Sequence, residues 1–179
     1  MRRLVAALVL ALSTAPAAAF DDDGTVACRL VDKPAVEHLL GAPIDGMRAE
    51  PFRVCAGMCE SVNASLCLIS VRRGGEVPEH WTLWADQAPF FPGNWPARTA
   101  GVDSGHRGAQ FPWRGGVGQW DFDPRIGRGI LHVYPGNRIH LLVVRENGPN
   151  DGAVALSEAR FIAARALVLF DALPENAPR

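Results

Sequence analysis

The sequence predicts an α+β domain, a mainly antiparallel sheet of five or six strands with an N-terminal and a C-terminal helix packed on one face. Three observations lead there. Residues 32–41 carry the punctuation of a short helix, residues 66–71 and 117–145 hold apolar, β-branched runs bounded by turn residues, and residues 153–173 repeat apolar side chains near helical spacing up to Pro174.

Taken in order, residues 1–19 read as a secretory signal peptide. Arg2 and Arg3 open it, residues 4–12 are apolar without a break, and Ala17, Ala18 and Ala19 offer a small-residue cleavage site. The apolar run is shorter than the roughly 20 residues that span a bilayer. Residues 20–179 are then one exported domain, periplasmic or secreted, of a size that suits a single core. Lys33 is the only lysine, and this arginine-, alanine- and glycine-rich composition points to a bacterial source.

In the first helix Asp32 is the expected N-cap, Pro34 sits in the first turn where its missing N–H costs nothing, and Gly41 ends it. Val36, Leu39 and Leu40 make its apolar face, which leaves Glu37 and His38 to solvent. A strand follows at 66–71, closed by Gly74 and Gly75. Residues 76–116 are irregular by pattern, with at most a short helix near 79–87 that would put Trp81 and Trp84 on one face. Strands at 117–122, 129–134 and 138–145 come next, the last two joined by a hairpin turn at Pro135, Gly136 and Asn137. In the final helix Ile162, Leu169, Phe170 and Leu173 press onto the sheet, while Arg160 and Arg165 can face water.

Export makes disulfides the expected state of Cys28, Cys55, Cys59 and Cys67. Of three possible connectivities, the favoured one joins Cys55 to Cys59 across a turn at Gly57 and Cys28 to Cys67. The alternative is a thiol-redox or copper site using Cys55, Met58 and Cys59. Three intervening residues, with no helix start behind them, fit a redox dithiol poorly.

Other constellations are sparse. A three-residue turn would set His132 directly opposite His140, close enough for both to reach one metal with His106 or Asp121 as a third ligand; a polar hairpin face explains the same pair. Trp81, Trp84, Trp95 and Trp113 could stack on sugar rings or simply anchor a long segment. No G-x-S-x-G stretch is present, and residues 115–118 lack the lysine and helix start of a phosphate loop. A formal net charge of −1 with no basic block leaves nucleic acid without an electrostatic footprint. No cofactor is implied, and no membrane span is expected in the mature chain.

Cys28-Arg29-Leu30-Val31 leading into Leu39-Leu40-Gly41, Cys67 in a strand, Gly116-Val117-Gly118 opening another, the hairpin and the final helix together resemble a family of small exported bacterial α+β domains of unknown function, best known among actinobacterial lipoproteins. The resemblance implies a Cys28–Cys67 bridge. The chain departs from it in lacking a lipid-attachment cysteine, in having Gln119 where an acidic residue is common, and in the additional Cys55 and Cys59. The functional expectation is a non-catalytic binding or interaction module whose contact surface lies in residues 79–114 and whose partner is a protein or a cell-envelope glycan. A copper or redox protein and a cell-wall hydrolase are the rivals. The hydrolase would show a histidine or carboxylate within hydrogen-bonding distance of a nucleophile.

Overall fold

The computed structural model describes residues 26–52, 64–86, 109–135 and 139–174. Seven strands form one antiparallel sheet: β1 (Ile44–Phe52), β2 (Ala64–Val71), β3 (Glu79–Asp86), β4 (Ala109–Trp113), β5 (Gly116–Asp123), β6 (Arg128–Tyr134) and β7 (His140–Glu146). Their order is β1-β2-β3-β7-β6-β5-β4. Helices α1 (Val26–Arg29), α2 (Lys33–Leu40) and α3 (Gly152–Ala172) pack on one face. Among the described residues no helix is long and apolar enough to cross a membrane.

The local signals of α2 act as expected. Asp32 accepts from the Ala35 amide at 3.2 Å, Pro34 lies in the first turn, and Gly41 closes the helix in the left-handed region at φ 65°. One turn of helix, α1, precedes it and carries Cys28. The Cys28–Cys67 disulfide joins α1 to the middle of β2, with Cα atoms 4.7 Å apart. Beside it the Ala27 amide donates to Ser65 Oγ at 2.8 Å.

The sheet has seven strands rather than the expected five or six, and the pattern does not locate three of them, β1, β3 and β4. Residues 79–86 form β3 rather than a helix: Trp81, Leu83 and Ala85 are buried in the core, while His80, Thr82 and Trp84 occupy the opposite face. This two-residue period defeats the three-residue spacing of the tryptophans, because pairing with β2 and β7 supplies the backbone partners on both sides. The two edge strands are masked by composition: β1 holds Gly46 and Pro51, and β4 holds Pro112, residues that sheets tolerate at edges. In the β4–β5 hairpin a Cβ on Gly118 would lie 2.4 Å from the Phe111 ring, so the glycine makes room for an aromatic from the neighbouring strand.

α3 begins one residue earlier than its apolar period, at an N-cap formed by Asp151, which accepts from the Ala153 and Val154 amides at 2.9 and 3.0 Å. Ile162, Phe170 and Leu173 are buried against the sheet and Leu169 packs at the margin of the core. The arginines do not simply face water. Arg160 lies 4.1 Å over the Phe111 ring and 5.7 Å from that of Trp113, and Arg165 forms an ion pair with Asp32 through Nε at 2.9 Å and also through Nη2.

At the α3 start a buried charge network ties the sheet to the helix. Arg145, with no exposed surface, donates to Glu79 at 2.9 Å and to the Pro149 carbonyl at 3.2 Å. Arg73 donates to both Glu79 and Glu158. Two guanidiniums and two carboxylates balance, which is what allows so much charge inside.

Candidate functional site

The sheet face opposite the helices is laid out by strand register. One cross-strand row runs Gly46, Ser70, His80, Glu146; the next runs Arg48, Leu68, Thr82, Val144, Ile130, Asp121. A third runs Glu50, Leu66, Trp84, Leu142, His132, Gln119, Gln110. Because side chains alternate across each strand, all of these positions belong to the same face. One end is polar, the middle is aliphatic, and the other end is aromatic.

Over the polar end lies a groove of about 530 Å³ lined by Arg48, Leu68, Ser70, His80, Thr82 and Glu146 among others. Leu68 is its apolar floor, the two hydroxyls and the imidazole are its hydrogen-bonding groups, and opposite charges stand on its two sides. Arg48 pairs with Glu50 at 2.6 Å and Glu146 with Arg128 at 3.5 Å. Ser70, His80 and Glu146 share a row in the order nucleophile, imidazole, carboxylate, yet none of the three hydrogen-bonds another, and Glu146 turns to Arg128.

At the aromatic end His132 and His140 are both buried. They are diagonal neighbours rather than a directly opposed pair: Val133 faces Leu141 and His132 faces Leu142, so the connection from β6 to β7 is longer than three residues. Their rings still meet, with His132 Nδ1 3.3 Å from His140 Nε2. Tyr134 stacks on His140 at 4.0 Å with planes 5° apart, and Trp84 approaches the same ring edge-on at 5.1 Å. Burial lowers the His132 pKa to about 4, which keeps its imidazole neutral at neutral pH. Among the described residues no group of three His, Cys, Asp or Glu side chains is arranged to hold a metal ion, so Asp121 does not complete a triad with the histidines.

The tryptophans divide. Trp81 is core, Trp113 and Trp120 pack against the core on the helix side, Trp113 near Arg160, and Trp84 alone of the described four belongs to the opposite face. Trp95, His106, Cys55, Met58 and Cys59 lie outside the described residues, as does the whole connection between β3 and β4. Arg48, Ser70 and Thr82 drew no attention in the sequence; once β2 and β3 are known as strands, their alternate positions select these residues.

Searches of family models, curated proteins and solved structures find no match to this chain.

Proposed function

We propose that this is an exported, non-catalytic interaction module that binds a protein partner in the groove on the helix-free face of the sheet. The observation that carries the reading is the groove itself: an apolar floor at Leu68, hydroxyl and imidazole groups around it, and charges of opposite sign on its sides. A polypeptide segment offers the same mixture of aliphatic, amide and charged groups. A glycan would call for a flat, open aromatic platform, and Trp81 and Trp113 are committed to the helix side. Within the expected contact segment 79–114, the part that serves is therefore β3, through His80 and Thr82. The Cys28–Cys67 disulfide supports an oxidising compartment. Hydrolysis finds less support, since among the described residues no base hydrogen-bonds Ser70.

A photocrosslinking side chain placed at His80 in cells is expected to capture a discrete protein, and the same group at Val168, on the exposed side of α3, is expected to capture none. Equal capture at both positions, or a glycan adduct at His80, would overturn the reading. Covalent labelling of Ser70 by a fluorophosphonate would move it to the hydrolase class.

A further inference from the structure

The two histidines at the far end of the same face meet in an uncommon way. Their ring planes differ by 8°, their centroids are 5.5 Å apart, and the facing nitrogens are 3.3 Å apart. The centroid separation exceeds the nitrogen separation by about two ring radii, so the rings lie edge to edge in nearly one plane and the facing nitrogens point at each other. In the absence of an ion, one N–H bridges the two.

We propose that His132 Nδ1 and His140 Nε2 form a two-coordinate site for a soft monovalent cation, of which Cu(I) is the biological member, held in line between the rings. At the usual metal–imidazole distance of about 2 Å, an ion in line asks the nitrogens to part to about 4 Å. That is a small outward shift along the direction in which both rings already point. A tetrahedral ion such as Zn²⁺ asks instead that the two lone pairs converge at an angle. The rings would have to swing out of their common plane, against the Tyr134 stack at 4.0 Å and the Trp84 edge at 5.1 Å that fix His140.

Charge points the same way. His132, His140 and Tyr134 are 8%, 6% and 3% exposed, and bringing charge into so buried a place grows steeply more costly with ion valence. One positive charge beside the π-face of Tyr134 is tolerable; two are much less so. Imidazole is an established ligand for copper. On binding, the bridging proton moves through solvent to the far nitrogen of the ring that donated it. Both rings stay neutral, the ion brings its own charge, and no proton is released.

The test uses the full chain with any free thiols alkylated by iodoacetamide, in chloride-free buffer, and Ag(I) as a redox-inert probe. Native mass spectrometry is expected to retain one silver ion per chain. Imidazole ¹⁵N spectra of the unmutated protein are expected to shift at His132 Nδ1 and His140 Nε2 and at no other histidine. His140→Phe, which keeps a ring for Tyr134 to stack on, is expected to lose the ion. No retained silver, ¹⁵N shifts at His38, His80 or His106 instead, or Zn(II) binding at the pair as tightly as Ag(I), would each overturn the proposal.

Discussion

Glu79 is the residue on which two arginines depend. Its Oε1 accepts from the Arg145 Nε at 2.9 Å, and its carboxylate takes Arg73 through Nε and Nη2. Arg145 cannot retreat to water: it is wholly buried, 5.7 Å from the centroid of the Trp81 ring, and a Cβ on Gly148 would fall 2.0 Å from its Nε. Glu79→Gln keeps the shape but removes the charge and turns an amide N–H₂ toward a guanidinium. A buried charge that loses its partner costs about 3–5 kcal/mol, so urea denaturation of this variant should show a loss of that order. A loss below about 1 kcal/mol would mean that the network relaxes into water. None of this is legible in the sequence, where nothing local to Glu79 marks it as the centre of a charge network. Its partner Arg145 is 66 residues away, and Glu158 is 85 residues from Arg73.

Elements announced themselves to the extent that their determinants are local. α2 is written in three positions, Asp32, Pro34 and Gly41, each acting on its own turn. β3 is not, because its period of two emerges only when β2 and β7 flank it. The His132–His140 meeting lies between these cases: the residues were legible, but their diagonal register depends on a longer connection than the Pro-Gly-Asn signal implies. Asp32 also shows one residue serving two elements. It caps α2 and holds Arg165 of α3, whose hydrogen bond keeps the Asp32 carboxyl below the usual carboxylate range against the opposing effect of burial. A carboxyl with a lowered folded-state pKa stabilises the fold above its unfolded pKa, near 3.9, and that contribution fades as pH falls through the lowered value. Arg165→Gln should therefore cost up to about 1 kcal/mol at neutral pH, the pair being partly exposed. The gap between variant and parent should close at pH values below the ordinary carboxylate range. A gap that persists unchanged in acid would show that Arg165 acts by packing alone.

At the scale of the molecule, the helices and the outer rows of the sheet have different tasks, and one covalent link governs the first. α1 has four residues, far fewer than a helix needs to persist by itself. It is held because Val26, Ala27 and Leu30 are buried and Cys28 is bonded to Cys67. The link spans 39 residues and encloses α2, β1 and the whole β1–β2 connection. In the loop-entropy picture, closing a loop of that length removes about 4 kcal/mol of freedom from the unfolded chain. The double variant Cys28→Ala, Cys67→Ala should thus unfold at markedly lower urea concentration, by about that free energy, with the slope of the transition raised because the denatured chain expands. Adding a reductant to the parent protein should reproduce the shift, and adding it to the double variant isolates whatever Cys55 and Cys59 contribute. If the double variant retains the parent's midpoint, α1 is held by burial alone. The helix face would then need no covalent support to keep the opposite face of the sheet in register.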